Sequence, residues 1–421
     1  MKLTKTNIIL LIINLTILPL LGNKDLINIL HIELLSNILN YILPSLLVIN
    51  LIHTIIKNKY KFKLDIKTIL LLIFIISLLI SLIFSITYKG YTFTNLYKFI
   101  VLPLILYLLS LFNIDNKKIN KSILITAIII SLFGISQYIF NFELTTHGIE
   151  KYIGSIGRIK STFLIATIFD KYLSIIIIYI LYLLINNKEN KYLLIITYIL
   201  SFISLCLTYS RTGLLITLIN LTIIVLYLLY KKKYIYLLII PITIGIMLII
   251  PGEKYVLKSI DSVFNSKIKE IINKKENNIE KTNNDNQIET GNDYSVISRE
   301  SYMDVAKKII KNKPITGIGI GNYTYIYENQ NVNDYIKDTI NYHYLYPHNM
   351  YYQLAAEIGI IGLITFYLLF IYILGDNKNI YSYLLLLIIL ASSITESIFY
   401  IKDIAYFIVI MSNLLPRKKK I

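Results

Sequence analysis

Long apolar runs, interrupted by short basic stretches, occupy most of this 421-residue chain, which is 56% hydrophobic. An α-helix needs about 20 apolar residues to cross the hydrocarbon core of a bilayer, and many of the runs approach or reach that length. The sequence therefore predicts an all-α polytopic membrane protein with about twelve transmembrane helices. The predicted spans are 7–21, 29–56, 68–87, 92–112, 121–140, 162–186, 192–209, 212–230, 234–250, 351–375, 380–397 and 402–416.

Basic residues are unevenly distributed among the connections between these spans. Lysines collect in every second short connection and in the C-terminal tail, whereas the alternate short connections are poor in positive charge. Because positively charged loops stay in the cytoplasm, both termini are predicted to be cytoplasmic. The same rule explains the net charge of +17, and no basic–aromatic motif indicates nucleic acid as a partner. Residues 1–21 lack a small-residue cleavage site and are interpreted as a retained first span.

This topology divides the chain into three parts. Residues 1–250 contain spans one to nine, and residues 251–350 form a large extracytoplasmic loop. Residues 351–421 contain spans ten to twelve and the basic cytoplasmic tail. Membrane lipids are thus expected around most of the protein.

The large loop has two dissimilar halves. Segment 265–295 is rich in Asn, Lys and Glu and is predicted to be flexible or loosely helical. Segment 298–313 is predicted to be an amphipathic helix, with Ser298 as its N-cap and Pro314 at its end. Such a helix either lies on the membrane surface or caps the bundle. Its apolar face consists of Tyr302, Val305, Ala306, Ile309 and Ile310.

A histidine lies where this polar loop meets the tenth span. His348 is followed by Asn349, Gln353 and Glu357 at helical spacing, so three polar side chains follow one side of an apolar helix. Ionisable groups are costly in a membrane segment and are functional-site candidates for that reason. His348 is interpreted as a general base, or alternatively as a helix-start residue with a structural hydrogen bond. The polar residues after it either support the site or pair structurally.

Arginine is rare in a chain that otherwise uses lysine: Arg158, Arg211, Arg299 and Arg417 are the only four among 42 basic residues. The first three fall in segments predicted to be external, against the charge bias. Arg211 and His348 each precede a helix whose N-terminus faces outward, and helix N-termini with arginines bind phosphate groups well. The alternative is that Arg211 is an interfacial anchor and that the other two pair with loop carboxylates.

Several smaller features have structural interpretations. Ala355 and Gly359 are small residues four positions apart, which predicts the close approach of a neighbouring helix. The Gly-Ile-Gly-Ile-Gly stretch at 317–321 lacks the flanking strand and helix of a nucleotide-binding loop and is predicted to form a tight turn. Cys206 is predicted to be a packed apolar residue. The histidines are too few to indicate a metal site, and no cofactor is predicted.

Three motifs occur in a defined order along the chain. They are the turn Ser210-Arg211-Thr212-Gly213, the Arg299 segment followed by Lys313-Pro314-Ile315-Thr316-Gly317-Ile318-Gly319 and Gly321-Asn322-Tyr323, and the block from Pro347-His348-Asn349 to Glu357-Ile358-Gly359-Ile360-Ile361-Gly362. Together they resemble the O-antigen ligase and O-antigen polymerase superfamily of bacterial membrane proteins. The similarity covers about residues 150–375, and the segment around Gly157-Arg158 is similar to another arginine-containing part of that family.

The resemblance implies a GT-C-like fold and a metal-independent, inverting glycosyltransferase on the outer face of the bacterial cytoplasmic membrane. It implies a glycan on an undecaprenyl-pyrophosphate carrier as donor, and a hydroxyl of a glycan, lipid or wall polymer as acceptor. The products would be surface polysaccharides of the cell envelope, such as capsule or lipopolysaccharide. On this interpretation Arg211 and Arg299, with Arg158, bind the pyrophosphate, and His348 accepts the proton of the acceptor hydroxyl.

Two activities share these motifs. A ligase transfers a finished glycan to another molecule, whereas a polymerase joins repeat units of the same glycan; the ligase-like description is preferred and the acceptor is left open. The alternative from another class is a polysaccharide or lipid transporter or flippase. A transporter predicts two similar halves with matched broken helices, and the sequence contains no such repeat.

Overall fold

The computed structural model describes residues 1–21, 38–86, 90–145, 148–151, 157–249, 291–323, 347–377 and 379–414, most of which are helical. A π-helical turn, Ile38–Ile42, precedes α2, and a 3₁₀ turn, Tyr234–Leu238, precedes α9. The α-helices found in the described segments are α1 (Lys5–Leu21), α2 (Leu43–Lys57), α3 (Ile66–Ile83), α4 (Gly90–Leu109), α5 (Lys117–Phe140), α6 (Ala166–Ile185), α7 (Lys191–Leu207), α8 (Arg211–Tyr230), α9 (Ile239–Ile249), α10 (Gly291–Asn312), α11 (Met350–Gly375), α12 (Ile380–Thr395) and α13 (Lys402–Leu414).

Each predicted span contains one of these helices, although 29–37 of the second span lies outside the described residues. Seven helical segments in the described part of the chain are long and apolar enough to cross a membrane, and α1, α7, α12 and the α9 region are shorter apolar helices. The chain is therefore a mainly helical, polytopic membrane protein. The number of twelve spans and the GT-C-like architecture stay predictions.

A β-hairpin is an exception to the all-α prediction. Strand β1 (Phe142–Thr145) pairs antiparallel with β2 (Gly148–Lys151), with Leu144 opposite Ile149. Apolar and polar residues alternate in β1, which is typical of a half-buried strand. The Phe142 ring packs against Phe133 of α5 at 5.9 Å between ring centroids. The hairpin thus stays attached to the end of α5.

The lysine-rich connections gather at one end of the bundle. Lys67, at the start of α3, forms a salt bridge with Asp376, which follows the last residue of α11. Lys188, which follows α6, forms a salt bridge with Asp115. Lys233 donates a hydrogen bond to the last carbonyl of α6. These contacts lie at the opposite end of α11 from His348, as the charge asymmetry of the loops predicts.

Helix α6 is the central helix of the bundle. Its whole apolar window is buried inside the protein, in contrast to the partly exposed faces of the other candidate spans. A helix that is apolar on all sides belongs in the interior, and the run of Ile, Leu and Tyr in α6 has that character. Two charged residues in this buried helix, Asp170 and Lys171, are consequently unusual.

The amphipathic helix is longer than predicted. Helix α10 begins at Gly291, so Ser298 lies inside it and is not the N-cap, and residues 291–295 of the segment predicted to be flexible or loosely helical belong to the helix. The remainder of that segment lies outside the described residues. The first turns of the helix, residues 291–298, are mostly polar and show no apolar periodicity. For this reason the sequence did not predict the earlier start of the helix.

The predicted apolar face of α10 is buried, whereas its lysines are exposed. Val305, Ala306 and Ile309 form a small core with Ile318 and with Ala356 of α11. The helix therefore packs on the start of α11, as the prediction of a capping helix requires.

Candidate functional site

His348 is held at the start of α11 by its neighbours. It has a positive φ of 47°, between Pro347 and the N-cap residue Asn349. Asn349 accepts hydrogen bonds from the N–H groups of Tyr351 and Tyr352, at 3.0 and 3.1 Å. This cap satisfies two N–H groups that a helix start leaves unpaired. The N-cap role of Asn349 differs from the predicted position on a continuous polar stripe.

The partner of His348 is Glu396, at the end of α12. Nδ1 of His348 is 3.1 Å from Oε2 of Glu396, and the two side chains are 25% and 5% exposed. Asn349 also donates to the carbonyl of Ile394 at 3.1 Å, which fixes the start of α11 against the end of α12. A carboxylate at Nδ1 orients the imidazole and leaves Nε2 as the nitrogen with a lone pair.

Helix α11 is broken at Gly359, and the loop of residues 314–321, called the glycine-rich loop below, fills the break. Gly359 has φ 77° and ψ 170°. The N–H of Ile360 donates to the carbonyl of Pro314 at 2.8 Å. The carbonyl of Glu357 accepts from Gly319 N–H at 3.0 Å. The loop thus replaces the hydrogen bonds that the broken helix cannot make.

This loop is the predicted tight turn of the glycine-rich stretch. Gly317, Gly319 and Gly321 have φ values of 62°, 102° and 80°, which favour glycine. A Cβ at Gly317 would lie 2.3 Å from the carbonyl oxygen of Glu357. Gly359 admits the backbone of this loop, since an added Cβ would lie 2.0 Å from the carbonyl oxygen of Ile315. A neighbouring helix also approaches α11 closely, as predicted: α3 packs along it, and the Ser81 hydroxyl donates to the Glu357 carbonyl at 2.7 Å.

The Glu357 side chain binds the far end of the same loop. Its carboxylate accepts from the N–H groups of Gly321 and Tyr323, at 2.6 and 3.2 Å, and from the hydroxyl of Tyr400. Gln353, also fully buried, lies one helical turn before Glu357 in α11. Glu357 is fully buried, and hydrogen bonds to a buried carboxylate compensate for its lost hydration.

The loop in turn connects Glu357 to the surroundings of His348. The Tyr323 hydroxyl donates to the carbonyl of Tyr302 in α10 at 2.5 Å. The ring of Tyr302 lies 6.5 Å from the ring of His348 between centroids. Arg299 lies in the same helix, one turn before Tyr302; the position of its side chain lies outside the described residues. Helix α10 thus passes beside His348.

A buried lysine holds the connection between α12 and α13. Lys98 of α4 donates to the carbonyl of Tyr400 at 2.6 Å and lies over the ring of the same residue. Tyr400 follows Glu396 by four residues and also binds Glu357. The connection that carries Glu396 is therefore fixed from inside the bundle.

Arg211 begins α8 in a tightly packed turn. The hydroxyl of the N-cap residue Ser210 accepts from Gly213 N–H at 3.4 Å, and the Arg211 side chain is exposed. Tyr209 precedes the cap with a φ of 48°.

Arg158 is brought to the same turn. Its Nε donates to the carbonyl of Thr208 at 3.0 Å, three residues before Arg211. The loop that carries Arg158 is fixed by Gln137 of α5, whose side chain accepts from Ser161 N–H at 2.7 Å and donates to the Ser161 carbonyl at 3.0 Å. Two of the rare arginines therefore flank one turn, although they lie far apart in sequence.

The Arg211 turn and the contact between His348 and Glu396 lie at the same end of the bundle. The turn begins α8, and Glu396 follows the last residue of α12; Asp170, near the start of α6, packs on Gly213 of the turn. Helix α12, which carries Glu396, packs against both α6 and α8. The arrangement places a cationic turn near an imidazole with an oriented proton-accepting nitrogen, which is what transfer from a phosphorylated donor to a hydroxyl needs.

Sequence reasoning missed several charged residues of this region. Glu396, Asp170, Lys171 and Lys98 all lie within or at the end of apolar runs. The rule that ionisable groups in membrane segments are functional candidates could have identified them. The high lysine content of the whole chain, however, makes a single lysine a poor indicator of a functional site. In the part of the chain that the structure describes, no three metal-ligating side chains come together; metal independence stays a prediction.

A comparison with protein families identifies one match to the chain. Residues 196–367 match the model of a family described as O-antigen ligase. The resemblance to the O-antigen ligase and polymerase superfamily is confirmed. The matched region extends from α7 into α11 and contains Arg211, Arg299, His348 and Glu357, whereas Arg158 and Glu396 lie outside it. No curated protein matches the chain at a significant level.

Proposed function

We propose that this O-antigen ligase-like protein transfers a glycan from an undecaprenyl-pyrophosphate carrier to an acceptor hydroxyl at the outer face of the cytoplasmic membrane. The family supports a reaction of the ligase or polymerase type. The observation that carries the proposal is the contact between His348 Nδ1 and the Glu396 carboxylate, at the same end of the bundle as the Arg211 turn.

The base in this reaction is Nε2 of His348. Glu396 holds the proton on Nδ1, so the lone pair of Nε2 is available to the acceptor hydroxyl. The hydroxyl oxygen attacks the anomeric carbon while its proton passes to Nε2. The bond between the anomeric carbon and the pyrophosphate oxygen breaks on the opposite side, which inverts the configuration. Glu396 then stabilises the imidazolium that forms.

The arginines bind the leaving group. As the glycosyl bond breaks, negative charge accumulates on the lipid pyrophosphate, and fixed cations stabilise that charge more in the transition state than before it. Arg211 and Arg158 supply guanidinium groups at one turn, and Arg299 lies on the helix that passes beside His348. Guanidinium is suited to this role because it is planar, permanently charged and able to bind phosphate oxygens in pairs. No metal ion enters this mechanism.

The test is transfer by purified protein in nanodiscs, with a lipid-pyrophosphate glycan as donor and candidate acceptors. His348→Ala is expected to lower kcat by on the order of 10²–10⁴-fold, the usual contribution of a general base, with the protein still folded. His53→Ala is the matched control because His53 is an exposed histidine in α2. Full turnover by His348→Ala would contradict the proposed base.

The products of the same assay separate the alternatives. Growth of one lipid-linked glycan at the expense of another indicates a polymerase, whereas transfer of a whole glycan to a different acceptor indicates a ligase. A flippase would move the lipid-linked glycan across the bilayer without changing it, and would tolerate His348→Ala. Transfer to none of the acceptors by well-folded wild-type protein would contradict the proposed function.

A further inference from the structure

A fully buried pair of opposite charges lies beneath the Arg211 turn. Asp170 and Lys171 are neighbours in the first part of α6, and neither side chain is exposed. Nζ of Lys171 is 2.9 Å from Oδ1 of Asp170. Successive residues of a helix normally point in different directions, and removing two charges from water is costly even when they pair. The pair therefore contributes little to stability by itself, and its contacts indicate another role.

The pair contacts two of the four residues in the Arg211 turn. Lys171 Nζ donates to Thr212 Oγ1 at 3.1 Å. Asp170 packs on Gly213, where an added Cβ would lie 2.4 Å from the Asp170 Cγ. The Arg211 side chain of the same turn is exposed. The buried charges thus hold the backbone from which the guanidinium extends.

The pair acts first on the Arg211 turn, because the contacts above join it directly to that turn. Helix α12, which ends just before Glu396, packs against α6, the helix that carries the pair.

We infer that Asp170 and Lys171 are positioning residues that fix the Arg211 turn for binding of the donor's pyrophosphate. This inference rests on the proposed function. Neither residue touches the donor, since both are fully buried; they act through the backbone and the cap of the turn. A fixed turn lowers the ordering cost that Arg211 would otherwise incur when it binds the donor. Weakening the pair should consequently raise the KM for the donor and leave the acceptor's KM unchanged.

The first test removes one contact and keeps the charge pair. Thr212→Val deletes the hydroxyl that accepts from Lys171 and is expected to raise the donor KM by about tenfold, the lower end of the effect of losing a hydrogen bond to a charged group. Thr222→Val is the matched control, because Thr222 is an exposed threonine of the same helix whose hydroxyl donates to the Leu218 carbonyl at 2.9 Å, away from the turn. A donor KM that rises equally in both variants, or in neither, would overturn the inference.

The second test removes both charges together. Loss of one member alone would leave a buried unpaired charge and destabilise the fold, so the variant is Asp170→Asn with Lys171→Met. The expected result is folded protein with a raised donor KM and near-normal acceptor KM. A lower melting temperature with unchanged donor KM in the folded fraction would show a purely structural pair and overturn the inference.

Binding measurements distinguish this inference from the proposed function. Undecaprenyl pyrophosphate without a glycan is titrated into wild-type and variant protein in nanodiscs, with the melting temperature as readout. If the wild type transfers glycan and the variants bind and react like it, only the positioning role fails. If wild-type protein neither transfers glycan nor binds the lipid pyrophosphate, the proposed function fails, and the positioning role fails with it.

Discussion

Replacement of Gly359 by alanine tests whether the break in α11 is required. At this position an added Cβ would lie 2.0 Å from the carbonyl oxygen of Ile315 and 2.5 Å from its carbonyl carbon. Both are backbone atoms and cannot move aside as the end of a flexible side chain can. The φ of 77° adds strain for any residue with a Cβ. The substitution therefore meets two separate penalties at one site.

The expected loss can be estimated from these penalties. The backbone conformation at Gly359, φ 77° with ψ 170°, is almost restricted to glycine and costs about 1–3 kcal/mol for a residue with a Cβ, and forcing an extra methyl group into packed surroundings costs about 1–3 kcal/mol. Together they lower the free energy of unfolding by about 2–6 kcal/mol. The Gly-rich loop is displaced as well, so the contacts of Glu357 with Gly321 and Tyr323 weaken and turnover falls.

Thermal unfolding of purified Gly359→Ala in nanodiscs measures the first effect, and donor turnover measures the second. Gly375→Ala is the matched control in the same helix, because a Cβ there would meet nothing within 4 Å. A melting temperature and turnover of Gly359→Ala equal to those of Gly375→Ala would refute the conclusion that the loop fills the break. A lower melting temperature in Gly359→Ala alone is the expected outcome.

Two further substitutions test the acidic residues. Glu396→Gln removes the negative charge that orients His348 and is expected to lower kcat by about 10- to 100-fold, the loss of a charge-assisted hydrogen bond of about 1.5–3 kcal/mol; turnover at the wild-type rate would exclude Glu396 as the orienting group. Glu357→Gln keeps the shape of the side chain, but its NH₂ group cannot accept the hydrogen bonds that the glycine-rich loop donates. It is expected to lower stability by about 1–3 kcal/mol, measured as a lower melting temperature; unchanged melting would contradict the role of this carboxylate in holding the loop.

Much of the helical arrangement was predictable, because the bilayer imposes length and apolarity on each span before any tertiary contact forms. The boundaries were less predictable. Helix α10 begins at Gly291, but its first turns are polar. The sequence indicated only the later part of the helix, which has an apolar face around Val305. The β-hairpin at 142–151 was missed, since its strands are only four residues each and follow a long apolar run.

The candidate site was only partly visible in the sequence. His348 and the arginines are recognisable because each is unusual in its sequence surroundings, and their roles stay predictions. Glu396 did not, because it lies 48 positions after His348 in a segment that looked like an ordinary span. Lys98 and Lys171 were hidden by the high lysine content of the chain, although few lysines are buried in apolar helices.

Local features of the sequence are enough to predict a helical membrane protein with one long polar loop before the tenth predicted span. They also single out the rare arginines and the histidine at the start of that span. These properties follow from local composition and from the positive-inside rule, which need no knowledge of the fold. Only the folded structure shows which of these groups are in contact: Glu396 with His348, the glycine-rich loop with the break at Gly359, and Asp170–Lys171 with the Arg211 turn. Such contacts join residues far apart in the chain, and they depend on how the helices pack.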